Sequence, residues 1–227
     1  MLAILYSFRR CPYAIRTRYA LALLGQPVAL REVSLKSKPP ALLALGGRTS
    51  VPQLVDLDGS RYPESMDIIY WAIARRAGSG QLVEHSHLAG ADFWPAAKSQ
   101  QQRIEAWVFQ NDHRFKYWLD RYKYADRFPQ QTSDYYRQQG ERFLRRLEAS
   151  LRHSAYLLGD TMSLADVAVF PFIRQFVAVD PEWFSASHYK HVKIWLASFL
   201  QSDVFALVMK KYPVWQEGQP EVELFLR

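Results

Sequence analysis

The chain has 227 residues, 49% hydrophobic and 15% aromatic, enough for one large domain or two modest ones with a well-filled core. Its formal net charge is +7, and residues 1–80 hold 11 Lys and Arg against 5 Asp and Glu, so the basic excess fits a small anionic ligand as well as nucleic acid. A single cysteine excludes an internal disulfide, no apolar run is long enough to span a bilayer, and Leu2–Leu5 is too short for a signal-peptide core, so a soluble cytoplasmic protein without membrane contact is expected.

An apolar, β-prone stretch, Leu2–Tyr6, opens the chain and gives way to a basic loop, Phe8-Arg9-Arg10. Cys11-Pro12 follows, and helical spacing runs from Ala14 to Leu24. Proline favours the first helical position, which puts Cys11 at the N-cap, where unpaired N–H groups and the positive end of the helix dipole favour a thiolate. Arg9, Arg10, Arg16 and Arg18 add positive charge nearby. Gly25-Gln26-Pro27 stops the helix, and Val28–Ser34 reads as a second strand. A basic, proline-bearing loop (Lys36–Pro40) leads to a short helix, Ala41–Leu45, ended by Gly46-Gly47. Gln53–Asp56 and Arg61–Tyr62 flank an Asp58-Gly59 hairpin turn, and Met66, Ile69 and Ile73 then keep helical spacing up to Gly78. The order β-α-β-α-β-β-α is that of the thioredoxin fold.

Periodicity lapses from Gly80 to about Pro95, so the expected division is a thioredoxin-like domain over 1–80, a linker over 81–95 and an all-helical domain over 96–227. In the last, Ile104, Val108, Asn111, Phe115, Trp118 and Tyr122 recur every three or four residues and read as one long helix. A second spans Ser133–Arg152, and Ser163-Leu164-Ala165-Asp166 is a capping box opening a mostly apolar helix over Leu164–Val177. Two more fit His188–Leu200 and Asp203–Lys210, and no strand is expected here.

Three local features accompany Cys11. Val51-Pro52 opens the third strand, where a proline is either a plain edge residue or, in a thioredoxin-type domain, a cis residue that turns the preceding backbone towards the cysteine. Glu64-Ser65 begins the next helix and reads either as an ordinary cap or as a grip on an α-amino acid end, with serine and helix N–H groups on the carboxylate and Glu64 on the ammonium. Lys38 lies thirteen residues before Val51 and by itself is a surface lysine.

Together with the Ser163–Asp166 box, these residues give the chain a resemblance to cytosolic glutathione transferases over essentially its whole length, most of all to the cysteine-type, omega-like bacterial members. The resemblance implies a thioredoxin-like domain followed by a helical bundle, a mixed disulfide between Cys11 and glutathione, and Val51 paired with the cysteinyl backbone across a cis Pro52. It also implies that Glu64 and Ser65 hold the γ-glutamyl end, that Lys38 sits near the glycyl carboxylate or the backbone, and that the protein is a homodimer. Glutathione is then the cosubstrate and no metal is called for. Arg10, and Arg48-Thr49-Ser50 in place of a glycine-bearing turn, depart from the family pattern.

Ala14 stands where a Cys-x-x-Cys pair would have its second thiol, so only a monothiol cycle is open. The expected function is glutathione-dependent thiol transfer or reduction, as in deglutathionylation or dehydroascorbate-type reduction, with a small electrophilic or disulfide acceptor. Candidate acceptor contacts, expected between the domains, are Trp107, Asn111, Arg114, Phe115 and Trp118. Residues 103–127 carry six Lys and Arg against four Asp and Glu, too balanced for a nucleic-acid stripe. Two alternatives stay open: conjugation of glutathione to electrophiles through Tyr6 or Ser7, and a non-catalytic protein that uses the fold to bind a protein partner.

Overall fold

The computed structural model describes residues 1–79 and 93–225, which fall into two compact units. The described residues of the first unit are 1–79 and 203–225, and those of the second are 93–202. Most of the expected linker lies outside the described residues. Its last part does not behave as a linker: Phe93 is buried, and its carbonyl accepts the Leu164 N–H at 2.9 Å within the second unit.

The first unit follows the order β1 (Ile4–Ser7), α1 (Pro12–Leu23), β2 (Val28–Glu32), α2 (Pro40–Leu43), β3 (Gln53–Val55), β4 (Arg61–Tyr62) and α3 (Ser65–Ser79). In the sheet, β1 runs parallel to β2 and antiparallel to β3, and β3 pairs antiparallel with β4. This is the thioredoxin-like arrangement the sequence suggests. The Asp58-Gly59 turn joins β3 to β4, with Gly59 at φ 85°, a conformation that glycine adopts without steric cost. Helix α1 packs against α3 and α10 (Asp203–Val208) and is buried on nearly every side, including Arg16, Thr17 and Arg18. Its lack of a polar face follows from that sandwiching.

The expected all-helical domain over 96–227 is corrected at its end. Residues 203–225 belong with the first unit, and Val222–Leu224 forms a strand, β5, antiparallel to β2, so the sheet order is β4-β3-β1-β2-β5. Three residues are too few to show a period-two pattern in sequence; the exposed edge of β2 supplies the backbone partners that make them a strand.

The second unit contains α4 (Lys98–Gln110), a π-helical turn (Asn111–Phe115), α5 (Lys116–Lys123), α6 (Ser133–Leu151), α7 (Leu164–Val177), α8 (Pro181–Ala186) and α9 (Lys190–Leu200). The single long helix expected over 104–122 is therefore interrupted. The wider π turn shifts the buried register, so that Asn111, Phe115, Leu119 and Tyr122 face inward and Trp118 is only half-buried. Helix α7 is the central one, buried along almost its whole length. Its capping box is complete, and the Asp166 carboxylate accepts from Ser163 N (3.0 Å), Ser163 Oγ (2.8 Å), Leu157 N (2.8 Å) and Trp195 Nε1 (3.0 Å). Burial pushes this carboxyl up, against four donors that favour its charged form.

Gly140 of α6 lies directly against the Phe176 side chain of α7: a Cβ there would stand 2.4 Å from the Phe176 ring. Gly140→Ala is expected to destabilise the protein by about 1–3 kcal/mol despite alanine's better helix propensity, because Phe176 must leave its packed position. Thermal denaturation of the variant checks this, and an unchanged midpoint contradicts it.

Glu148 of α6 caps the N-terminus of α9. Its carboxylate accepts from Val192 N at 3.0 Å and from His191 Nδ1 at 2.8 Å. Burial tends to raise its pKa, but these donors outweigh burial and hold it below the ordinary 4.5. Its stabilising contribution is therefore complete above the unfolded value and is lost as pH falls through the lowered native one. Urea midpoints measured between about pH 3 and pH 7 are expected to fall less steeply on the acid side in Glu148→Gln than in the wild type.

Candidate active site

Cys11 is the N-cap residue of α1, half-buried, with extended backbone (φ −74°, ψ 125°) and Pro12 at the first helical position. Its N–H closes a turn onto the Phe8 carbonyl at 3.0 Å, and its carbonyl takes the Ile15 N–H at 2.9 Å. The side chain makes no capping bond to the helix backbone. Instead Sγ lies 3.6 Å from the carbonyl oxygen of Val51, to which the thiol donates. The Val51–Pro52 peptide is cis.

The segment carrying Val51 is held by a buried polar side chain. Gln53, at the start of β3 and wholly inaccessible, donates Nε2 to the carbonyls of Arg48 and Ser50, both at 2.7 Å. Its Oε1 accepts from Arg61 Nε (2.9 Å) and Nη2 (2.6 Å), and the rest of that guanidinium binds the carbonyls of Leu45, Gly46 and Arg48. Two side chains thus satisfy five carbonyl bonds of a loop with no secondary structure to satisfy them. Neither role is evident from the sequence, where the available signal is one glutamine leading an otherwise apolar strand.

Lys38 Nζ donates to Thr49 Oγ1 at 3.0 Å, and the exposed Arg48 guanidinium pairs with Glu64 Oε1. Residues 48–51 therefore touch Lys38, Glu64 and Cys11, and the departure from the family turn supplies two of those contacts. Ser65, the first residue of α3, is 1% exposed, and its Oγ accepts from Arg16 Nε (3.0 Å) and Nη2 (2.7 Å). Thr17 Oγ1 bridges the carbonyls of Tyr13 and Ser65 at 3.1 and 3.4 Å, tying α1 to the start of α3. A hydroxyl that already accepts two bonds keeps its proton for an acceptor placed at the helix N-terminus.

Residues 5–80 match the N-terminal domain of glutathione S-transferases and residues 101–198 their C-terminal domain. The chain belongs to the glutathione S-transferase family. No curated protein matches its sequence. Among solved structures it is similar to a glutathione transferase family member from Pseudomonas fluorescens with two glutathiones bound, at 17% identity and TM-score 0.73 over 92% of each chain. A Burkholderia graminis glutathione transferase, with two glutathione molecules per subunit, matches at 21% identity and TM-score 0.72 over 92% of this chain and 87% of that one. Glutathione transferase Omega 3C from Trametes versicolor matches at 18% identity and TM-score 0.74, over 92% and 84%. At such identities the likeness is one of fold.

In this transferase-family chain the two rival hydroxyls have arginine partners. Tyr6 OH accepts from Arg31 Nη1 at 2.6 Å, and Arg31 also stacks on Trp215 (4.0 Å to the ring centroid) and binds Glu221 at 3.0 Å. Ser7, on the opposite face of β1, has its Oγ 3.5 Å from Arg18 Nη1. The acceptor candidates lie in the second unit. Trp107 and Phe115 are buried against Phe143, at 5.8 and 4.8 Å between ring centroids, and fill the core. Asn111 is fully buried at the π turn, where its Nδ2 donates to Asp112 at 2.8 Å and its Oδ1 has no partner among the described residues. Arg114 is exposed, and the half-buried Trp118 belongs to an aromatic cluster with Tyr117, Tyr135 and Tyr136. Among the described residues no group of three His, Cys, Asp or Glu could hold a metal ion, and no helix is long and apolar enough to cross a membrane.

Beneath the Cys11 loop, Glu32 takes the Arg9 N–H on Oε1 (2.6 Å) and Arg18 Nη1 on Oε2 (3.3 Å), and its own carbonyl takes the Trp215 N–H (2.8 Å). Arg18 also donates to the Val208 carbonyl, and Arg9 Nη1 to that of Met209 at 3.3 Å. Burial works against both charges, lowering Arg18 and raising Glu32, and their mutual attraction offsets part of it. Glu32→Ala leaves the Arg18 charge buried and unpaired, at an expected cost of about 3–5 kcal/mol. Denaturant unfolding gives the cost. Native-state hydrogen exchange is expected to show a faster Arg9 amide, and protection equal to wild type there contradicts the assignment.

Proposed function

We propose that the protein is a glutathione-dependent thiol transferase or reductase of the cysteine type, working through a mixed disulfide between Cys11 and glutathione. The observation that carries this reading is the placement of Sγ at the N-terminus of α1, 3.6 Å from the Val51 carbonyl and making no capping bond, while the Tyr6 and Ser7 hydroxyls lie against arginines.

In the first half-reaction the Cys11 thiolate attacks the glutathionyl sulfur of a glutathionylated substrate. The substrate's sulfur leaves as a thiolate and takes a proton from water. In the second, the thiolate of a free glutathione attacks the glutathionyl sulfur on Cys11; oxidised glutathione departs and the Cys11 thiolate returns. The helix dipole favours Cys11 both as nucleophile and as leaving group. Val51 offers backbone groups to the cysteinyl unit of the tripeptide, beside Pro52. Ser65 and the α3 N-terminus take the γ-glutamyl carboxylate, Glu64 exchanges Arg48 for the ammonium, and Lys38 reaches the glycyl end. Each turn brings two glutathionyl units together at Cys11, one from the substrate and one from free glutathione, and the Pseudomonas and Burkholderia relatives hold two glutathiones. On this reading Arg114 and Trp118, the more accessible of the candidates, meet the acceptor, and the protein works in the cytoplasm as a homodimer.

Intact-mass spectrometry after incubation with oxidised glutathione tests the cycle. One glutathionyl adduct is expected on the wild type and on Tyr6→Phe and none on Cys11→Ser, with thiol transfer from a small mixed disulfide reduced at least about 100-fold in Cys11→Ser. Glutathione conjugation that survives Cys11→Ser and falls in Tyr6→Phe moves the chemistry to the tyrosine. Loss of glutathione-agarose retention together with absence of an adduct leaves only a binding role for the fold.

A further inference from the structure

We infer that the second unit carries a pocket for the phosphoryl group of a small phosphate ester, formed by the C-terminal half of α6 and the segment entering α9. This site is separate from Cys11 and its argument does not depend on the thiol-transfer reading. A cavity of about 300 Å³ lies there, at the small end of the range for ligand pockets. Arg145, Ala149 and Arg152 follow one another at helical spacing along one face of α6, and the small side chain of Ala149 leaves the space between the two guanidinium groups open. His153 continues that wall, and His188 and Tyr189 close the other side.

The charge on these walls is mostly positive. Glu148 is the carboxylate at the pocket, and its oxygens accept from the backbone N–H groups of His191 (3.1 Å) and Val192 (3.0 Å) and from His191 Nδ1 (2.8 Å), so it serves the N-terminus of α9. The nearby Glu141 takes the Tyr189 hydroxyl at 2.9 Å and lies 3.5 Å from Arg137 Nε. No ion pair among the described residues takes up Arg145 or Arg152. The Arg145 charge lies close enough to the Tyr189 hydroxyl to oppose part of the rise that burial and Glu141 impose on it. The C-terminal dipole of α6 accounts for a cation at Arg152 or His153. It does not account for Arg145, about two turns upstream, or for His188, which arrives from another segment. Two planar guanidinium forks, with two imidazoles that each offer a ring N–H, supply donors suited to the several oxygens of a phosphoryl group. The remaining volume and the rings of His188 and Tyr189 leave room for a compact organic substituent.

The test is a titration of the ¹⁵N-labelled full chain at low salt with inorganic phosphate, with phenyl phosphate, and with chloride at matched ionic strength. Saturable shifts of the His153, His188 and Lys190 amides with both phosphates, absent with chloride, are expected. At least tenfold weaker binding is expected in Arg145→Gln/Arg152→Gln, whose exposed positions leave the unfolding midpoint near that of the wild type. His188→Ala is expected to weaken phenyl phosphate more than inorganic phosphate. Tighter binding of phenyl phosphate supports the ester, and equal binding of the two points to free phosphate as the source. Shifts that never saturate, that chloride reproduces, or that persist unchanged in the folded double variant overturn the proposal.

Discussion

A guanidinium and a carboxylate withdrawn from water, Arg18 and Glu32, join three stretches of the first unit that are distant in sequence: α1, the end of β2 and the returning residues 208–215. Such a pair is a weak source of net stability, because desolvation opposes the Coulombic gain. Its value is geometric. The Glu32 carboxylate has two oxygens, one for Arg18 and one for the Arg9 backbone, so the neutralisation of the helix arginine and the fixing of the loop before Cys11 are the same event. The thiol is thus positioned from below by a charge pair and from the side by Val51.

The side contact has its own support, which is polar without being ionic. The loop before Val51 would leave carbonyls unanswered, and Gln53 with Arg61 answers them from within the sheet. Arginine suits this role because its five N–H groups project in a fixed fork. Arg16 plays a parallel part beneath Ser65. The basic excess of residues 1–80 is therefore only partly an attraction for an anionic ligand, since several of the arginines are internal scaffolding.

Most of the architecture was legible because strand and helix periods alternate clearly through residue 79, and because Cys11-Pro12, Val51-Pro52 and Ser163–Asp166 are local signals with local causes. What escaped the sequence had tertiary causes. The π turn at Asn111–Phe115 keeps a helical spacing that a continuous helix also satisfies, so only the burial of Leu119 in place of Trp118 reveals it. Helix α8 had a readable start, Asp180-Pro181, but six residues carry little periodicity. Strand β5 depends on an edge provided about 190 residues earlier in the chain. Within the candidate site the residues at α1 and α3 could be named from sequence, whereas their supports, Gln53, Arg61 and Glu32, could not. Each is a polar residue whose role is set by which carbonyl or amide folding brings beside it.

That late strand also sets an order of assembly. During synthesis β1, α1, β2, β3, β4 and α3 emerge first, yet the free side of β2 and the acceptors for Arg9 and Arg18 at Met209 and Val208 are delivered only after the whole helical unit has left the ribosome. Until then the nascent sheet shows an unpaired edge, the kind of surface that recruits other chains. Residues 203–225 thus act as a latch, and a growing chain completes the bed of its cysteine only once the helical unit has been made.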